Sequence, residues 1–165
     1  MFQPAGAKEI RNLFKQYLNS SYEPFFVDIS GPELLMNFRD FSEYCRQDAA
    51  LWISAQGETM DGFFLLFDIQ PELALANLDI VYFSGFPRAG SVEVAALVTA
   101  LRKACRQTRV TRLQLLALAH EKEKLALAAS LGFQQEGILQ RHFFHKGGYH
   151  DLIVSARMER GRHAS

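Results

Sequence analysis

Apolar residues near the start of the chain recur at helical spacing. Ile10, Leu13, Phe14, Tyr17 and Leu18 stand at i, i+3, i+4, i+7 and i+8, which predicts an amphipathic helix closed by Asn19-Ser20-Ser21. The run Phe25 to Ile29 behind Pro24 reads as a strand. Ser30-Gly31-Pro32-Glu33 combines a capping-box spacing with proline in a first turn. A helix is expected there, with Leu34, Phe38, Phe41 and Cys45 on one face. Leu51 to Ala55 and Phe63 to Phe67 read as two strands joined through the turn-rich segment Gly57 to Gly62, and Leu78 to Phe83 as a third. The breaker-rich loop Gly85 to Ser91 opens a helix striped by Val94, Leu97, Val98, Leu101 and Cys105. Leu113 to Ala119 is a further strand, and His120 to Leu131 a helix stopped by Gly132. Gly137 to His145 and Tyr149 to Met158 pair as a hairpin around Lys146-Gly147-Gly148.

Three consecutive strands followed by a strand-helix-strand crossover imply an α/β (α+β) protein. Its mixed central sheet should have about six to seven strands with helices on both faces, and its crossover should be right-handed. No repeat or linker divides the chain, so residues 1–165 read as one domain with an N-terminal helix in 1–20 and a loose polar tail at 160–165.

Composition narrows the classes. Hydrophobic residues at 48% and charged residues at 22% are ordinary for a globular protein. No apolar run reaches the roughly 20 residues that span a bilayer. Met1 to Leu18 carries Lys8, Glu9, Arg11 and Lys15 instead of a signal peptide's apolar core, so a cytoplasmic protein without a membrane partner is expected. Cys45 and Cys105 have no metal-type spacing and read as buried thiols. His142, His145 and His150 lack a cysteine or carboxylate at ligand spacing, so no metal is expected. A net charge of zero disfavours nucleic acid. The average conceals a split: residues 1–100 hold 6 Lys/Arg against 13 Asp/Glu, a balance of −7, and residues 101–165 hold 12 against 5, a balance of +7. Such a chain either offers a basic face to a phosphate-bearing ligand or joins two complementary halves.

The last quarter carries a linked motif set: Leu125 to Phe133 ending in Gly132-Phe133, then Glu136-Gly137, Arg141-His142 and Gly148-Tyr149-His150-Asp151. Together with the element order it resembles the GNAT superfamily of N-acyltransferases, nearest to the branch of ribosomal-protein N-terminal and amino-sugar acetyltransferases. Gly132 suits a left-handed helix end, and Asp151 is expected to anchor the hairpin. The resemblance implies the GNAT fold, with acetyl-CoA or another acyl-CoA as co-substrate. CoA would lie along Val81, Tyr82 and Phe83 and at the loop Arg88-Ala89-Gly90-Ser91-Val92-Glu93, where helix N-terminal amides hold a pyrophosphate. Its pantetheine arm would enter between the strands at Leu78 and Leu113. Arg88 fits the pattern of that loop. Ser91 stands where glycine is expected, and Glu93 where a small residue is, so a plain turn with Ser91 as N-cap is the competing reading. Arg102, with Lys103, Arg106, Arg109 and Arg112, is a candidate for the 3′-phosphate, or part of a solvated helix face.

Relatives use an Asn and a Tyr on the last helix; here Glu121 and Ala128 stand at those positions. Substitutes are His120 at a strand end, Asp79 as a base or an outward polar position, and Tyr149 as a donor. The expected activity is acyl transfer from acyl-CoA to a primary amine of a small molecule or a protein N-terminus. The alternative is a GNAT-fold protein that has lost acetyl-CoA transfer, serving as a partner-binding module or drawing on an acyl carrier protein. A monomer and a homodimer are both compatible with the sequence.

Overall fold

The computed structural model describes residues 1–18, 37–47, 49–56 and 59–159. Among them are four α-helices, α1 (Ala7–Leu18), α2 (Phe38–Gln47), α3 (Val92–Thr108) and α4 (Lys122–Ser130). The strands are β1 (Phe2–Pro4), β2 (Ala50–Gln56), β3 (Thr59–Gln70), β4 (Leu75–Tyr82), β5 (Arg112–Leu118), β6 (Gln134–His145) and β7 (Gly148–Met158). The expected strand at 25–29, the capping box at 30–33 and the tail at 160–165 lie outside the described residues.

The seven strands form one mixed sheet in the order β1-β2-β3-β4-β5-β7-β6. Only β4 and β5 are parallel, because α3 carries the chain back across the sheet between them. The pleat sends alternate side chains to opposite faces. Ala76, Leu78, Ile80 and Tyr82 of β4 join a core with Leu97, Leu101 and Ala104 of α3 and Leu127 and Leu131 at α4. Val81 joins a second core with Ile10, Leu13 and Phe14 of α1 and Phe41 and Cys45 of α2. Helices therefore cover both faces, as the mixed pattern predicted. The two thiols fall on opposite faces, and burial pushes each up to about 12. Among the described residues no helix is long and apolar enough to cross a membrane.

Two features depart from the sequence expectation. β1 was not foreseen, because three residues are too few to show a period; Phe2 fixes it by packing 5.5 Å from the Phe64 ring and 6.2 Å from Tyr82. The segment expected as turn up to Gly62 is shorter, since β3 already begins at Thr59 and Gly62 pairs with Tyr82 inside the ladder. Glycine is needed there for space: a Cβ would lie 2.5 Å from the Val81 carbonyl oxygen and 3.0 Å from the Tyr82 ring. Gly62→Ala should therefore lower the unfolding free energy by about 1–3 kcal/mol, as overpacked cores do, measured by urea denaturation. A change below a few tenths would show that the β3–β4 backbone yields freely.

Candidate functional site

The parallel ladder between β4 and β5 is short. It runs from Leu75↔Arg112 to Leu78↔Leu115 and stops. Beyond it β4 stays paired with β3 to Tyr82↔Gly62, and β5 with β7 to Leu118↔Leu152. The facing edges of Asp79–Tyr82 and Leu116–Leu118 thus have no partner in each other. Three charged side chains gather there. Lys124 Nζ of α4 donates to Asp79 Oδ1 at 2.8 Å and lies 3.3 Å from Glu121 Oε1. The Ile80 N–H donates to Asp79 Oδ1 at 2.8 Å, and the Leu118 N–H to Glu121 Oε2 at 2.6 Å. Asp79 is 0% exposed and Lys124 5%. Burial pulls the Lys124 ammonium down, but Asp79 and Glu121 outweigh it and hold the group above the ordinary lysine value.

The second feature is the start of α3. Ser91 caps it, its Oγ accepting from the Val94 N–H at 3.3 Å. Glu93 is held below the usual carboxylate range by its own backbone N–H and the Ser91 hydroxyl. The helix end is thus capped by its own side chains. Beside it a cleft of about 500 Å³ is lined by Phe2, Ser54, Asp61, Tyr82 and Glu93 among others. No Lys or Arg among the described residues lines it. Burial first, then the negative charges of Glu93 and Asp61, raise the Tyr82 phenol. Met1, with the amino terminus, also lines the cleft, but the Glu93 carboxylate at the helix start is the wrong sign for a pyrophosphate there.

The residues proposed from sequence scatter. Asp79, weighed as a base or an outward polar group, is neither outward nor open; it is the buried partner of Lys124. His120 is exposed beyond β5, with its ring 5.1 Å from that of His150. Tyr149 is 62% exposed and packs on Phe144. It neighbours His150 along β7, so the two project to opposite faces and Tyr149 points away from the histidine pair. Arg88, Ala89 and Gly90 are exposed on the loop, with Gly90 at φ +79°. Val92 is exposed, Val81 and Tyr82 are buried on opposite faces, and Phe83 is half-buried. Arg102 sits roughly 15 Å along α3 from its start, 3.8 Å from Glu159. Of the other basic residues, Lys103 lies over the Trp52 ring and Arg112 pairs with Glu136. Ala128, at the tyrosine position of relatives, is packed in the core. Asp151 does anchor the hairpin, its Oδ1 accepting from the Arg141 N–H at 2.7 Å. Among the described residues no group of His, Cys, Asp or Glu is placed to hold a metal ion.

The architecture is shared with solved acetyltransferases. A chimera of Vibrio cholerae spermidine N-acetyltransferase SpeG and hSSAT superposes with a TM-score of 0.74 at 14% identity, covering 96% of each chain. The chain has the GNAT fold. RimL, a ribosomal-protein α-N-acetyltransferase in complex with coenzyme A, gives 0.70 at 16% identity over 96% of this chain and 93% of RimL. A Streptococcus mutans protein gives 0.74 at 15% identity over 96% and 98%. No protein-family model and no curated protein matches the sequence.

Within this GNAT fold, sequence reasoning missed Lys124. The signal was present: Lys124 stands three and four residues before Leu127 and Ala128, in the buried phase of α4, and Asp79 interrupts the apolar run of β4. Lys124→Met leaves two carboxylates at the gap without their cation, and should cost about 3–5 kcal/mol in urea unfolding. The sign for pH follows from the raised Lys124 value. Its contribution is present in full below the ordinary lysine value near about 10.4, and is lost only as pH climbs through the higher folded value. The difference between wild type and Lys124→Met should therefore not shrink between pH 7 and 9, and it widens if a carboxylate left without its cation loses a proton there; a gap that closes within that window would contradict the pairing.

Proposed function

We propose that this chain is an N-acyltransferase that takes its acyl group from an acyl-CoA, acetyl-CoA foremost, and passes it to a primary amine of a small molecule or a protein N-terminus. The observation that supports this most is the parting of β4 and β5 beyond Leu78 and Leu115, next to the loop that opens α3. The GNAT resemblance puts the pantetheine arm in such a gap and the pyrophosphate at that helix start. An acyl-CoA supplies an activated thioester carbonyl. Transfer forms a C–N bond to the amine, breaks the C–S bond, and moves one proton from nitrogen to sulfur. SpeG and RimL, by their names, act on spermidine and on a ribosomal protein, which supports an amine acceptor. No named relative points to a carrier protein, and that donor is not carried forward.

The residues fit an acyl-CoA in part. Val81, Tyr82 and Phe83 border the gap, and exposed Arg88 is available to a phosphate. His120, exposed one residue before Glu121, is the group we assign to proton exchange with solvent. Against the fit stand Glu93 at the helix start and the ion cluster in the gap. These two observations favour the second reading, a GNAT-fold protein that has given up acyl transfer.

Calorimetry with acetyl-CoA separates the readings: a saturable heat, in wild type or in a variant opened at the gap, supports the acyltransferase, and none in any of them at millimolar ligand rejects it. Single exposed charges contribute about 0.5–1 kcal/mol, which is roughly a two- to fivefold change in Kd. Arg88→Ala should weaken acetyl-CoA binding by that factor and Glu93→Gln should tighten it. Unchanged affinities in both would place the phosphates elsewhere.

A further inference from the structure

A gap between parted strands is ordinarily filled by apolar side chains, and those around this one are Ile80, Leu115 and Leu118. Replacing buried ion pairs by apolar residues of similar volume is often neutral or stabilising, so packing alone gives no reason for three charges here. What the charges do is occupy hydrogen-bonding positions. The Ile80 N–H belongs to β4 and the Leu118 N–H to β5, and each donates to a side-chain carboxylate. Asp79 Oδ2, fully buried, has no hydrogen-bond partner among the described residues, so the arrangement leaves one strong acceptor unused. Lys124 starts from a helix turn whose Lys122 and Glu123 are exposed, and its stem is four flexible carbons, so the ammonium can be redirected without moving the helix.

We propose that Asp79, Lys124 and Glu121 form an ionic latch that closes the gap between β4 and β5, so that the resting protein blocks its own acyl-CoA arm site until Lys124 swings out to solvent. The inference rests on the acyl-CoA reading above. An entering arm brings amide groups that replace the side-chain partners of Ile80 and Leu118, while the released ammonium regains water. The latch thereby subtracts the cost of its opening from the affinity for CoA.

Two measurements test it. Coenzyme A and acetyl-CoA are titrated calorimetrically into wild type, into Lys124→Ala, and into the double variant Asp79→Asn with Glu121→Gln. The double variant leaves Lys124 without an anionic partner and serves if the alanine variant does not fold. In parallel an amine-reactive label is applied with and without saturating coenzyme A, and Lys124 is quantified by mass spectrometry. The latch predicts at least tenfold tighter binding in a folded variant, and labelling of wild-type Lys124 that rises when coenzyme A is bound. Binding confined to the variants supports it equally. If wild type binds coenzyme A while Lys124 stays protected, or if the variants bind no tighter, the latch is wrong and the acyl-CoA reading stands. If neither wild type nor variants bind, both fall together.

Discussion

One ammonium sits where two parallel strands stop pairing, and much of the surrounding structure answers to it. Lys124 lies between Asp79 and Glu121, 2.8 and 3.3 Å away, with almost no contact with water. The two carboxylates also serve the backbone, each taking an amide of a different strand. Removing the cation would leave both anions uncompensated, and removing a carboxylate would strand a peptide N–H. Such a unit is stable only as a whole. It ties α4 to β4 across the sheet, which apolar contacts of α4 alone would do without directional preference.

A second theme is that carboxylates take up backbone amides at two places, the start of α3 and the gap between β4 and β5. Glu93 does so at the start of α3, as Asp79 and Glu121 do in the gap. The cationic half of the chain is engaged in the same way. Arg112 pairs with Glu136, Arg102 lies within 3.8 Å of Glu159, and Arg157 pairs with Glu159. The +7 of residues 101–165 is thus partly neutralised by acids of the same half instead of forming one open basic face.

The fold was legible where periodicity reflects a single buried face. The helix around Val94 and Leu101 and the strand at Leu113 were readable for that reason, because each meets the core on a repeating set of positions, whereas the strand at Tyr149 was readable from the turn residues Lys146-Gly147-Gly148 before it. β1 was not, since its one buried residue carries no period, nor was Gly62, whose role depends on the carbonyl of Val81 on the neighbouring strand. The site was legible in part. Ser91 as an N-cap and Asp151 as an anchor follow from local chemistry, and the structure has both. The Asp79–Lys124 pair spans 45 positions, so each residue shows in the sequence only as a charge in an apolar phase, and nothing local says that the two meet. The dispersal of His120, Asp79 and Tyr149 likewise depends on which face of which strand each one takes.

The four-residue ladder from Leu75 to Leu78 also has a mechanical meaning. With the Ala74 carbonyl, which accepts from the Thr111 and Arg112 N–H groups at the closed end, it makes the seam of backbone hydrogen bonds between the β1–β4 meander and the β5–β7–β6 unit among the described residues. The sheet is therefore two leaves bound along a short spine at one end and free of mutual hydrogen bonds at the other. A rotation of one leaf against the other about that spine would displace Tyr82 and Leu118 further than Leu75 and Arg112, so the Lys124 cluster stands at the end where such a rotation has the longest lever.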